Sequence, residues 1–534
     1  MEENTRTAEG LRFGCPGCGS GLRYDIKSKR MLCGSCGQGY DLREIRDPSR
    51  GQADGMMDTV EYRCPQCGAT VHASETSAAS FCSYCGADVI LAQRLTRIAR
   101  PAQIVPFRVT REACEEIYRK RVKESRYAPE DFASQETIGH FRPVYIPFWS
   151  YRGTAQGDDL SGTATHVHVS HGYEYTDRYQ YTLAGDVSVT NVIYDASVSF
   201  EDETARRLHF SAKGAVDFHP GYLCGFYAET PDTEPSLFED GVRGYAQNAW
   251  AEEFKKQCGY SAPQAAPLSS LHADADLLLM PVWLLAHRSG SRVVYTAVNG
   301  DTGEIVCETP VSNRRFVRLA GELAALCAAL LMLLNFVIIL RPRLLAALCG
   351  LTATVGQCII ARVLWGLRIR SLRENDYTWL QLHPNPRTGK IRKAVTRNFH
   401  KVRWYMPLLI TGGAVAVGMV LANAAAYDYN AFVAGLLSDH GWLAPVIQGC
   451  ATALFIASGY HFQKGLDDAL FVARLAAMLV TLLAIFGAAA DMVFYLCSAA
   501  LLALTALSLA RLNQAHNAFV SRPVPFFGEE AQQQ

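Results

Sequence analysis

The chain carries no excess charge of either sign, with 51 Lys and Arg against 51 Asp and Glu over 534 residues. Without a global basic field it lacks the electrostatic footprint of a nucleic-acid-binding protein. The opening residues, MEENTRTAEG, are polar and contain no apolar stretch, which argues against a cleaved secretory signal. Catalytic signatures are missing as well. There is no G-x-x-x-x-G-K-[ST] phosphate loop, no H-E-x-x-H helix and no G-x-S-x-G elbow, and the TGK at 388–390 lacks the preceding glycine. Acidic and histidine residues are plentiful but form no spaced constellation, so no enzyme is expected.

Cysteine, by contrast, is abundant and ordered. Of seventeen cysteines, eight fall in Cys-x-x-Cys pairs, a pattern that favours metal ligation over disulfides in a chain without an export signal. Cys15/Cys18 and Cys33/Cys36 form one set, and Cys64/Cys67 and Cys82/Cys85 the other. Both read C-x2-C-x14-C-x2-C, and the second repeats the first at an offset of 49 residues. Two intervening residues let a tight knuckle turn both thiolates toward one point, and Gly19, Gly37, Gly68 and Gly86 follow the knuckles where the backbone must turn. Two knuckles supply the four sulfurs of a tetrahedral zinc site. A closed set leaves no position for water, so two structural Zn2+ ions are expected, with iron in a rubredoxin-like site as the alternative. Such modules are too small for a core, and metal binding worth on the order of 10–16 kcal/mol supplies their folding energy. Arg23, Lys27, Lys29 and Arg30 make the first central loop basic; the second, HASETSAAS, has no Lys or Arg.

The middle of the chain reads as α+β, rich in antiparallel sheet. IVPFRV (104–109) predicts a short strand, and Thr110 caps a helix whose apolar stripe is Cys114, Ile117, Tyr118 and Val122. FRPVYIPFWSY (141–151) contains two prolines and is expected to be an edge strand or a docking segment. Period-two alternation over 160–200 predicts an antiparallel sheet, with His166, His168 and His171 read as solvent-facing rather than metal-binding. Residues 276–310 predict a three-stranded meander turning at 288–292 and 299–303.

These motifs resemble a known family. Two zinc ribbons, IVPFRVTREA, VYIPFWSY, IYDAS (193–197), HPGYLCGFYAE (219–229), MPVWLLAH and YTAVNGDTGEIV follow one another as in bacterial TFIIB-type zinc-ribbon membrane proteins of phage-shock-type envelope stress systems. The resemblance covers about residues 12–366. It implies a membrane anchor that recruits an SPFH or virion-core-like protein, and through it phage shock protein A. Family members end soon after one hydrophobic hairpin, whereas this chain continues.

That continuation is apolar. Six spans are expected, over 319–340, 344–366, 405–425, 442–460, 475–490 and 492–509. The loop 367–403 holds ten Lys and Arg against two acids, and 426–441 holds none, which places the first loop and both termini in the cytosol. The expected organisation is therefore ribbon 1 (12–45), ribbon 2 (60–92), a cytosolic α+β domain (101–315), a transmembrane region (317–512) of about six helices in three hairpins, and a cytosolic tail (513–534). The expected function is a scaffold at the bacterial inner membrane, with the lipid bilayer and an SPFH-like or phage-shock-type protein as partners. A membrane-tethered nucleic-acid-binding regulator and a channel or transporter with a regulatory ribbon domain are the alternatives.

Overall fold

In the computed structural model the described residues are 13–47, 55–73, 82–86, 92–197, 200, 202–258, 268–335, scattered helical positions between 349 and 367, and 491–524. They fall into two units, one holding those up to Phe316 and again from Asn517, the other those between Val317 and His516.

The first unit opens with an antiparallel three-stranded sheet, β1 (Leu22–Asp25), β2 (Arg30–Cys33) and β3 (Gly39–Tyr40). The Asp25 carboxylate ties the β1–β2 turn by accepting from the Ser28 backbone N–H at 2.8 Å and hydroxyl at 2.7 Å. The second ribbon is built differently. Its strands β4 (Met56–Arg63), β5 (Thr70–Ala73) and β6 (Ala92–Ala99) belong to a 12-stranded sheet shared with the middle of the chain. The other members are β7 (Gln103–Ile104), β8 (Arg142–Ser170), β9 (Tyr173–Asp195), β10 (Val216–Asp217), β11 (Tyr227–Ala228), β12 (Leu268–Ser289), β13 (Arg292–Asn299), β14 (Ile305–Cys307) and β15 (Arg522–Pro523). Neighbours run β10-β7-β12-β8-β11-β5-β4-β6, with β9 also on β8, and with β13 on β12, β14 and β15. The pairing is antiparallel except where β11 meets β8 and β7 meets β12.

Local chemistry accounts for the turns. His171 (φ 52°) and Gly172 (φ 82°) both adopt the left-handed region between β8 and β9, as a two-residue hairpin turn matched to strand twist requires. Asn299 Oδ1 accepts from the N–H groups of Asp301 (2.9 Å) and Thr302 (3.2 Å), closing the β13–β14 turn of the expected meander. Helix α1 (Arg111–Glu124) starts where Thr110 Oγ1 accepts from Ala113 N at 3.3 Å, and it buries Cys114, Tyr118 and Val122. Short helices α2 (Gln135–Gly139) and α3 (Asp202–Arg207) follow. Helix α4 (Glu239–Cys258) lies across β8 and β9, with the buried Trp250 indole over Gly157, where an added Cβ would come within 2.2 Å of the ring.

The proline-bearing segment 141–151 departs from expectation. It forms the start of β8, a central strand flanked by β12 on one side and by β11 and β9 on the other. The prolines are tolerated because of where they face. Pro147 sits between the short β11 contact at Val144–Tyr145 and the start of β9 at Phe148, and its carbonyl accepts from Ala196 N at 3.0 Å. The N–H it lacks would point into that seam between two partner strands, so no ladder bond is lost. Past the last β12 contact at Gly157, β8 and β9 continue as a two-stranded ribbon paired from Leu160–Leu183 to Ser170–Tyr173.

Helix α5 (Asn313–Asn335) leaves the first unit, where Arg315 donates to the Ala128 carbonyl at 2.8 Å and pairs with Glu130 at 2.9 Å. Helix α6 (Asp491–Val520), in the second unit as far as His516, is long and apolar enough to cross a membrane, and is the one described helix that meets that test. It contains the expected span 492–509. Its Ser498, Thr505 and Ser508 hydroxyls donate back to the carbonyls of Phe494, Leu501 and Leu504, which pairs them without solvent. Ala353 packs with Leu501, and Ile360 and Leu364 pack against Leu509, Leu512 and Ala515. The expected span 319–340 is helical as far as Asn335, and 344–366 only at scattered positions. The expected spans 405–425, 442–460 and 475–490 lie outside the described residues, as do the loops 367–403 and 426–441 except for position 367.

The segment read as a tail begins by returning to the first unit. Asn517 bonds both ways to the backbone of Val311, its Oδ1 accepting at 2.6 Å and its Nδ2 donating at 2.9 Å. Arg292 donates to the Ala518 carbonyl at 2.7 Å and to Ser521 Oγ at 2.8 Å, β15 pairs with β13, and Val520 enters the core. Replacing Asn517 with Ala leaves both Val311 backbone groups without their partner, so the first unit should lose about 1–3 kcal/mol of stability. Denaturant titration of the purified chain followed by tryptophan fluorescence checks this, and an unchanged midpoint would count against the clamp.

Candidate metal centres

All four knuckles share one backbone plan. Gly19, Gly37, Gly68 and Gly86 each donate to the carbonyl of the first cysteine of their pair, at 2.8, 3.0, 2.9 and 3.0 Å. Their φ angles, 73°, 73°, 76° and 63°, are the left-handed values that a residue with a side chain resists. At Gly86 there is a second reason, since an added Cβ would lie 3.0 Å from the Ala286 carbonyl oxygen.

The knuckles bring every expected ligand together. Cys15, Cys18, Cys33 and Cys36 form one group and Cys64, Cys67, Cys82 and Cys85 another, with the sulfurs of each group within 4.8 Å of one another. Across the first set, Cys15–Cys36 are 3.6 Å apart and Cys18–Cys33 3.4 Å; across the second, Cys64–Cys85 are 3.8 Å and Cys67–Cys82 3.7 Å. A tetrahedron with metal–sulfur bonds of about 2.3 Å has edges of about 3.8 Å. The donor set and its spacing therefore fit Zn2+, which would be held by four thiolates in each ribbon with no open position for substrate. No other metal-holding group of three or more His, Cys, Asp or Glu side chains occurs among the described residues. His168 instead stacks on Tyr175 (centroids 5.4 Å apart) and pairs with Asp177 at 3.4 Å.

Crowding sulfurs splits their acidities. A hydrogen bond with Tyr40, whose hydroxyl lies 3.5 Å away, lowers the Cys15 thiol to about 6. The contact with Cys67 likewise lowers Cys82 to about 6, while the same contact raises Cys67. Each ribbon thus contains a thiol shifted toward the thiolate form that ligation requires.

Sequence reasoning did not foresee the bracket that holds both ribbons. Residues 219–229 pass between them. His219 Nδ1 accepts from Gly221 N at 3.0 Å, which leaves the Nε2 proton to donate to the Ile45 carbonyl at 3.1 Å. Gly221 lies so close to ribbon 1 that an added Cβ would be 2.5 Å from Leu42. Tyr24 N donates to the Cys224 carbonyl at 3.1 Å, and the Tyr24 and Tyr222 rings meet edge to face at 5.0 Å. Immediately afterwards, β11 inserts between β5 of ribbon 2 and β8. The motif HPGYLCGFYAE could have been flagged by its two glycines, but nothing in its pattern says what it joins. The basic loop of ribbon 1 also engages locally, Lys27 pairing with Glu112 of α1 at 3.3 Å.

The bracket ends on a buried acid. Glu229 N donates to the Tyr145 carbonyl at 2.9 Å, and its Oε2 accepts from Ser197 Oγ at 2.6 Å. Ser197 N in turn donates to Asp195 Oδ1 at 2.9 Å, so the IYDAS and HPGYLCGFYAE motifs meet here. Burial, and secondarily the charge of Asp232, raises the Glu229 carboxyl well above its usual range.

Comparison with known proteins adds one relative to this picture. An uncharacterized Bacillus subtilis (strain 168) protein, YdjG, is 25% identical over 313 residues, 57% of this chain and 91% of that protein. No family model and no solved structure matches the chain.

One outcome tests the centres and another the buried acid. The intact chain should carry two zinc ions by elemental analysis, falling to one when Cys64 and Cys67 are both replaced by Ser; unchanged metal content would refute the assignment. Glu229 sets a pH dependence of known sign. The folded state keeps its proton while the unfolded chain ionises above about 4.5, so its contribution is complete below that pH and lost as pH rises toward the folded value. Glu229→Gln should therefore stabilise the protein at about pH 8 and not at about pH 4.5. A thermal-unfolding series across that range would show a constant offset if the carboxyl were ionised in the fold.

Proposed function

We propose that the protein is a non-enzymatic scaffold at a bacterial inner membrane. Its ribbons and β-rich unit recruit a cytosolic SPFH-like or phage-shock-type oligomer. The observation that carries the anchoring half is the clamp between Asn517 and Val311. One folded unit holds both the start of the apolar region at α5 and its end at α6. On this reading both ends of the apolar region lie on one face of the membrane. The excess of Lys and Arg in 367–403 supports the cytosolic face for them.

The recruiting half rests on the family resemblance of the chained motifs and on exposed surface. The β8–β9 ribbon projects beyond the sheet, and pairing places Tyr173, Tyr175 and Tyr179 opposite Ser170, His168 and Ala164 along one of its faces. These tyrosines are exposed, and Val167 and Val169 are exposed on the other face. Aromatic rings on a rigid hairpin offer large contact area at low entropic cost, as interaction hot spots do. Closed cysteine sets leave the metals a folding role, which is what a docking platform needs.

Affinity purification of the tagged chain in detergent tests the reading. An SPFH-like or phage-shock-type protein should co-purify, and Tyr175→Ala with Tyr179→Ala should abolish its recovery while leaving zinc content at two per chain. If no such protein is recovered, and the Cys64 and Cys67 replacements change no interaction, the scaffold reading fails. A salt-sensitive mobility shift with DNA or RNA would favour the tethered regulator instead.

A further inference from the structure

The two centres share a ligand pattern but not an environment. In ribbon 2 all four cysteines are buried. Its knuckles are roofed by the rest of the first unit: the Tyr295 hydroxyl donates to the Tyr84 carbonyl, and Gly86 lies against Ala286 and Arg288 of β12. Ribbon 1 is open. Cys15 and Cys33 are buried, whereas Cys18 and Cys36 are exposed. Each exposed sulfur has a buried neighbour at bonding reach, Cys33 at 3.4 Å from Cys18 and Cys15 at 3.6 Å from Cys36. Ribbon 1 also has its own three-stranded sheet, so opening its knuckles breaks no ladder of the larger one.

We propose that ribbon 1 is an oxidation site at which a peroxide releases the metal, while ribbon 2 keeps its own. Access decides which thiolate reacts, and only the first centre has exposed cysteines. The Cys18 thiolate attacks one oxygen of the peroxide, breaking the O–O bond; the other oxygen leaves and takes up protons as water. Cys18 is then a sulfenic acid. The Cys33 thiolate attacks the Cys18 sulfur, the S–O bond breaks, and the second oxygen leaves as water. Two thiolates have lost two electrons to form a disulfide, and hydrogen peroxide with two protons has become two waters. Zinc, unchanged in oxidation state, departs because two of its four ligands are gone. Cys36 and Cys15 offer the same route. With its metal lost, the small ribbon loses most of its folding energy, while the platform around ribbon 2 stays assembled. The inference rests on the metal assignment and not on the scaffold reading, and stands or falls without any partner.

Hydrogen peroxide is added to the zinc-loaded full chain in detergent, and released metal is followed with a colorimetric zinc chelator. Half of the total zinc should appear with peroxide, and the remainder only after an organomercurial. Alkylation and peptide mapping should then find a disulfide between Cys18 and Cys33, or between Cys36 and Cys15, with Cys64, Cys67, Cys82 and Cys85 still reduced. A chain with Cys18→Ser and Cys36→Ser should start with one zinc and release none to peroxide. Release of both metals, release of neither, or a first disulfide in ribbon 2 would overturn the proposal. If the double variant fails to fold, the peptide map of the parent chain decides alone.

Discussion

Four sulfurs within 4.8 Å of one another cannot all be thiolates without a cation between them. That constraint governs the first hundred or so residues of the molecule. The knuckles by themselves contain only turns, and their glycine-dependent bonds are too few to hold eight cysteines in two clusters. Ligation turns mutual repulsion into the strongest local attraction available, and the surrounding strands inherit their register from it. In ribbon 2 the consequence spreads furthest, since β4, β5 and β6 form the far end of the large sheet. A cysteine cluster suited to a metal thus sits at the edge of the large sheet.

Joining the two required a connector with unusual geometry. The bracket at 219–229 supplies it by alternating kinds of contact: a histidine that accepts from Gly221 and donates to Ile45 of ribbon 1, a glycine against Leu42, then two strand residues entering the sheet. It closes on Glu229, a carboxyl whose proton burial holds more tightly than usual, beside Ser197. A neutral acid tolerates an apolar surrounding that a carboxylate would not, and still accepts a hydrogen bond. Two motifs far apart in the chain are thereby fastened at one point.

Much of this was legible in the residues. All eight ligands follow from spacing, because a thiolate tetrahedron admits few arrangements. The Thr110 cap, the β8–β9 hairpin and the Asn299 turn follow from local chemistry that tertiary contacts did not override. The misread segment, 141–151, is instructive: proline forbids a ladder bond only where a partner strand would ask for one, and Pro147 stands where two partners change over. The fusion of ribbon 2 into the sheet, the bracket and the Asn517 clamp were hidden for a common reason. Each is a contact between residues distant in sequence, made by short segments with no periodicity of their own.

The clamp has a consequence for biogenesis. Asn517 and Val311 are 206 residues apart, and β15 lies nearer still to the end of the chain. During synthesis the ribbons, the sheet and α4 all emerge long before the last strand of the same unit. The first unit must therefore wait, incomplete along β13, while the intervening apolar stretch is made. Its final strand can be added only afterwards, so closure of the first unit records that synthesis has run through the whole of that stretch.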